Sequence, residues 1–175
     1  AMRYEVAAEL ASDLNRTHRL KAQISPMLGV LPSYTTLGMA ALLPHETLAY
    51  KRNSSLDVLA DGLPTVTVEN RTAVLARDSG IAIKADDLLQ LGKEKGRDFI
   101  KPWQLVYVYH DRIDMIGDKQ GSEGRTFEAA EQTLVDLDAL TRFILNSLGA
   151  SVVLITADHG FMYQESHLEE IDRSS

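Results

Sequence analysis

Hydrophobic and polar positions alternate along this chain in two rhythms. Val6, Leu10 and Leu14 recur every fourth residue with Glu5, Glu9 and Asp13 between them, which predicts an amphipathic helix over residues 4–16. Residues 20–30 read as a strand entering a loop, with Pro26 interrupting it. Residues 31–36 form a loop into a short helix over 37–43, which Pro44 ends. Shorter apolar pieces follow at 56–59 and 65–68 around Gly62-Leu63-Pro64, a pattern expected of a small hairpin. Helical patterns cover 70–78 and 86–95, with Gly80, Gly92 and Gly96 as punctuation. We expect residues 50–102 to form an insertion packed over one face of a main domain. Residues 105–109 make a strongly β-forming run, followed by a polar, Gly-containing loop at 119–124. From Thr126 a long helix is expected, because Phe127, Ala130, Leu134, Leu137, Thr141, Ile144 and Leu148 form one apolar stripe that closes at 146–150. Val152 to Ile155 then reads as a buried parallel strand. Helices alternating with strands imply a mainly parallel sheet covered on both faces, a three-layer α/β sandwich.

Two of these strands run directly into metal-competent side chains. The 105–109 run is followed by His110, Asp111, Asp114 and Asp118, and the 152–155 run by Asp158, His159 and then Gly160. Parallel strands bring such ends to one sheet edge, where open α/β sheets bind ligands. Hard divalent ions require several carboxylate and imidazole donors close together, so the two groups form a candidate metal site. A third group, Ser33, Thr35 and Thr36, precedes the 37–43 helix. These hydroxyls suit a helix cap as well as a nucleophile stabilised by a nearby cation.

Composition narrows the chemistry. The 175 residues are 45% hydrophobic and 25% charged, as one globular domain with a buried core requires. The net charge of −7 argues against a surface that grips nucleic-acid backbone or membrane, although metal ions can supply positive charge locally. With no cysteine, any metal must rest on His, Asp or Glu, and disulfides are excluded. No signal peptide and no apolar run of about 18 residues is visible, so a cytoplasmic location without membrane contact is expected. His45, after Pro44, reads as a helix C-cap, and His18 and His167 as surface residues.

The segments 31–45 (LPSYTTLGMAALLPH), 107–114 (YVYHDRID) with Gly117-Asp118, and 156–161 (TADHGF), together with the opening Arg3-Tyr4-Glu5, resemble the PglZ domain of the alkaline phosphatase superfamily. The likeness runs through nearly the whole chain, in order. Members of that family occur in bacterial phage-resistance systems of the Pgl and BREX type and in some response-regulator proteins. The resemblance implies an alkaline-phosphatase-like domain, here 1–175, incomplete at both ends. It lacks a first strand with its Asp ligand and a late His ligand, which His167 does not resemble. It implies a metal-dependent phosphatase, with phosphodiesters preferred, using two divalent ions (zinc first, magnesium or manganese as alternatives). Thr35 takes the place of the nucleophile, with Thr36 and Ser33 as alternatives. Asp158 and His159 correspond to the superfamily's Asp-His pair, one residue serving each metal. His110 and Asp114 correspond to its Asp-x-x-x-His pair in reversed order. A phosphate-ester substrate (nucleotide or nucleic acid included) and other phage-defence proteins are the implied partners. The missing ligands lead us to expect weak metal binding and no activity in this piece. The missing strand leads us to expect homodimerisation through the sheet. The alternative reading is a non-catalytic scaffold of a phage-defence complex. A sulfatase is disfavoured because it needs a formylglycine precursor such as cysteine.

Overall fold

The structure is a computed structural model that describes residues 2–52, 56–111 and 123–160. Helix α1 spans Tyr4–His18 and buries Leu10 and Leu14, as the i, i+4 spacing requires. Residues 20–30, expected to begin as a strand, carry no regular structure and are mostly exposed. Helix α2 is Thr35–Ala41, two residues earlier than the apolar pattern suggests at each end.

Three short antiparallel strands follow in the order β1 (Leu48–Tyr50), β2 (Val58–Ala60) and β3 (Leu63–Pro64). The β2–β3 turn is Asp61-Gly62, both with positive φ (49° and 83°), the signature of a tight Asp-Gly hairpin. The hairpin is therefore shorter than the 56–59 and 65–68 runs imply. Thr65 is buried and donates its hydroxyl to Val58 O at 2.8 Å. Val68 belongs to helix α3 (Val68–Leu75), whose N-terminus is closed by a capping box between Thr67 and Asn70. A single 3₁₀ turn, Ala76–Asp78, ends that unit.

Strand β4 (Gly80–Lys84) was not expected. It pairs in parallel with β5 (Leu105–Tyr109), from Gly80 opposite Leu105 to Lys84 opposite Tyr109. Helix α4 (Ala85–Ile100), kinked at Gly92 where φ is 68°, makes the crossover between them. The 50–102 segment thus contributes one strand to the parallel sheet. Helix α5 (Glu123–Arg142) continues into a π-helical turn, Phe143–Leu148. Ala130, Thr133, Leu137, Leu140 and Thr141 of α5 and Leu148 of the turn are buried.

Alternate side chains of β5 enter different clusters. Val108 packs with Leu10, Leu14, Ala85, Leu137 and Leu140, beneath α1 and α5. Tyr107 and Tyr109 pack with Leu43, Ala60, Val74, Leu75 and Ala82, beneath α3 and the small sheet. Both faces of the strand thus meet apolar side chains, although Leu105 at its start is exposed. Full burial of Leu75, Leu88, Val58 and Val74 is worth roughly 1.5–3 kcal/mol per side chain.

The expectation for Val152 to Ile155 needs correction. These residues carry no regular structure and join no sheet among the described residues, and Val152 and Leu154 are 82% and 86% exposed. Ile155 still packs on the α1–α5 cluster. The run has strand propensity, but β5 takes β4 as its described partner. Without a ladder neighbour, a β-forming sequence forms no strand, and only the side chains that reach the core are covered. His18 also departs from its expected surface role. It lies 2.9 Å from Asp138 Oδ1, and Asp138 is held in turn by Arg142 at 2.8 Å, tying α1 to α5.

Candidate functional site

Thr35 is the first residue of α2, and Tyr34 caps that helix without a side-chain hydrogen bond. The Thr35 hydroxyl lies 3.2 Å from Nε2 of His159, a residue 124 positions away. Asp158 Oδ2 lies 3.2 Å from the same Nε2, and the Asp158 side chain is only 1% exposed. His159 Nδ1 lies 2.8 Å from the carbonyl oxygen of Gly160. A carbonyl can only accept, so Nδ1 donates to it, and Nε2 is the ring atom that faces Thr35 and Asp158. Two side-chain oxygens and one ring nitrogen thus meet at one point. A proton or a cation there satisfies them together.

Two backbone features seat this segment. Met2 N donates to His159 O at 2.9 Å. Gly38, one turn into α2, lies directly on Asp158: a Cβ there would stand 2.5 Å from Asp158 O and 2.9 Å from both its carbonyl carbon and its Cβ. A side chain at position 38 would therefore push the Asp158 backbone off the helix. The same helix packs inward through Leu37 and Ala40 against Val58, with Tyr34 alongside. Burial raises the Tyr34 hydroxyl above the usual tyrosine range, and the neighbouring Tyr50 adds to the effect.

His110, directly after β5, is placed elsewhere. Its Nε2 lies 3.3 Å from Asp136 Oδ2 on α5. Among the described residues, no group of three or more His, Asp or Glu side chains forms a metal-holding cluster. Asp114 and Asp118 fall outside the described residues, as does His167. The donor set at Asp158, His159 and Thr35, two hard oxygens and an imidazole nitrogen, fits one side of a divalent ion's shell.

The structure brings Thr35, Asp158 and His159 together, and adds Gly38 and Asp136, which sequence reasoning missed. The small residue at 38, inside an otherwise apolar helix, was the available signal for close backbone approach. Nothing in the local pattern connects Asp136 to His110. His45 behaves as expected, its Nδ1 lying 2.6 Å from Leu43 O just past α2.

A family model described as the BREX system PglZ alkaline phosphatase-like domain matches residues 1–175. The alkaline phosphatase-like protein BrxZ of Escherichia coli O9:H4 (strain HS) is 44% identical over 175 residues, covering 100% of this chain. The alkaline phosphatase-like protein PglZ of Bacillus cereus (strain H3081.97) is 38% identical, covering 99%. The chain spans 20% of the length of each of these relatives. No solved structure matches it.

Proposed function

This chain belongs to the PglZ alkaline phosphatase-like family of BREX systems, and from that premise we propose that the protein carrying it hydrolyses phosphate esters, phosphodiesters first, with Thr35 as nucleophile. The observation that carries this reading is the meeting of Thr35 Oγ1 and Asp158 Oδ2 at His159 Nε2, each at 3.2 Å. The Thr35 hydroxyl stands beside the His159 ring nitrogen and the Asp158 carboxyl, so a cation held there would stabilise its oxygen as the P–O bond forms and the leaving alkoxide departs. The Asp158 side chain, 1% exposed, lies 3.2 Å from the same ring nitrogen. Gly38 lets the Asp158 backbone approach closely enough to hold both side chains against the start of α2.

The proposal includes two divalent ions, zinc first with magnesium or manganese as alternatives. Asp158 and His159 would each serve one of the ions, with His110 and Asp114 as the other proposed ligands. Bound there, such ions would supply positive charge for the alkoxide and the phosphoryl oxygens. We further propose the complete domain to be a three-layer sandwich. The protein would work in the cytoplasm beside other phage-defence components, on a nucleotide or nucleic-acid ester. No helix among the described residues is long and apolar enough to cross a membrane.

The test is metal content by elemental mass spectrometry, with turnover of bis-p-nitrophenyl phosphate, on the full-length protein and its Thr35→Ala and Asp158→Ala variants. The wild type should hold about two ions and turn over. Both variants should lose at least ~100-fold in kcat with the fold intact. Full activity in both would overturn the assignment. Absence of metal from the full-length protein would favour a scaffold role instead.

A further inference from the structure

The two segments that bring Thr35 to Asp158 and His159 are free of charge up to Asp158 itself. From Ala22 to Pro44, and again from Phe143 to Ala157, there is no Asp, Glu, Lys or Arg, in a chain that is 25% charged. The first segment crosses the second beside the site. Met27 Sδ accepts from the Thr156 hydroxyl at 3.8 Å, and a Cβ at Gly29 would stand 3.8 Å from Asp158 O. The crossing is fixed at both ends. The Asn15 side-chain amide donates to Ala22 O at 2.9 Å and accepts from Ala22 N at 2.7 Å, and Val30 packs on Leu37, Ala40 and Val58. Between those anchors residues 23–29 are exposed. Met27 and Leu28 are 59% and 95% exposed, and Leu31, between Val30 and the start of α2, is 83% exposed.

Large apolar side chains held in the open beside a polar site mark a ligand-binding surface. Proteins that grip a phosphate backbone place Lys and Arg along it, and neither segment supplies one. A wall of this composition suits an uncharged ligand group. We propose that Met27, Leu28 and Leu31 form an apolar subsite for the ester group that stays on phosphorus when Thr35 attacks, and that this group is flat and apolar, an aryl ring or a nucleobase. The subsite rests on the phosphodiester reading above. Contact with a group remote from the breaking bond is the same before and at the transition state, so it acts on KM and not on kcat.

The experiment compares two diesters on the full-length protein, bis-p-nitrophenyl phosphate and methyl p-nitrophenyl phosphate. They share leaving group and charge and differ in the ester group that stays. Dividing the ratio of their kcat/KM values in wild type by that in a variant cancels their intrinsic reactivities. The double variant Leu28→Ser, Leu31→Ser should lose ~10-fold more on the bis-aryl ester than on the methyl ester, through KM. Equal losses on both esters, as a merely structural role would give, or a selective loss confined to kcat, overturn the proposal. A second readout needs no turnover: maleimide labelling of full-length Leu28→Cys, followed by mass spectrometry of the peptide holding residue 28. Diphenyl phosphate should slow the labelling and dimethyl phosphate, at the same concentration, should not. Slowing by both or by neither overturns the subsite. Resistance to maleimide with no ligand present would show that another part of the protein covers this wall, and also overturns it. Absence of turnover of both esters by wild type would sink the hydrolase reading, whereas slowing by diphenyl phosphate alone would leave the apolar subsite standing.

Discussion

Replacing Gly38 by alanine gives the sharpest check on how the site is seated. In most helix interiors this change stabilises, by about 1 kcal/mol. Here the new Cβ would stand 2.5 Å from Asp158 O, whereas ordinary contact begins near 3.4 Å. The difference between 3.4 and 2.5, 0.9 Å, is the least by which the Asp158 segment or α2 must move. Asp158 is bonded directly to His159, whose ring lies 3.2 Å from Thr35. A displacement of that size takes the pair past ~3.6 Å, where the interaction is no longer a hydrogen bond. Overpacking of this kind costs about 1–3 kcal/mol. Backbone cannot rotate away as a side chain can, so the upper part of that range applies. After the helix gain, a net loss of about 2 kcal/mol remains, a fall of about 4–8 °C in Tm for a chain of this size. Gly96 serves as the internal control. A Cβ there meets Leu148 Cδ2 at 2.8 Å, the far end of a flexible side chain that can turn aside. Gly96→Ala should leave Tm unchanged or raise it by a few degrees, about the helix term alone. Calorimetry of both variants, with turnover of the full-length Gly38→Ala protein, decides the matter. Equal or higher Tm for Gly38→Ala, with turnover retained, would refute the close approach of α2 to Asp158.

Two further outcomes test the scaffold around the site. Thr67→Ala removes the acceptor for Asn70 N, now at 3.2 Å, and should cost about 1 kcal/mol, read as a lower urea midpoint at constant m; Thr67→Ser should restore it. Asp61 accepts from the backbone of Thr47 and Glu46, from the Thr47 hydroxyl and from Arg77, and the Thr47 N–H is the largest cause of its lowered pKa. Because the folded value lies below the unfolded one, its stabilisation is present above the ordinary carboxylate range and is lost as pH falls through the folded value. The stability gap between wild type and Asp61→Asn, which keeps a residue tolerant of positive φ, should therefore shrink from about pH 6 toward about pH 3; a constant gap would contradict it.

Local signals in this chain were read well where one element suffices to express them. Leu10 and Leu14, and Ala130, Leu137 and Thr141 of the α5 stripe, reached the core as their spacing demanded. Strand β5 occupies the residues its composition marks. Two misreadings came from signals that were present but outweighed. Asp61-Gly62 is a hairpin dipeptide, yet the wider apolar runs drew the strands outward to 56–59 and 65–68. Gly80 looked like a break, although Ile81 and Ile83 after it carry β-branched side chains suited to β4. Gly80 in fact lies against backbone: a Cβ there would meet Leu75 O at 3.0 Å and Leu105 O at 3.2 Å.

What the sequence determined alone is the supply of parts: amphipathic helices, a β-forming run ending at His110, a second run ending at Asp158-His159, and hydroxyls at the start of α2. Their long, ordered motifs also carried the family likeness, because motif identity survives without coordinates. Tertiary structure alone decided the partnerships. It paired β5 with β4, left Val152 and Leu154 exposed, joined Thr35 to His159 across 124 positions and turned His110 toward Asp136. Periodicity reports which face of an element is buried, since that depends on local geometry repeated every two or 3.6 residues. Which elements meet depends on packing summed over the whole chain, and no local pattern encodes that sum.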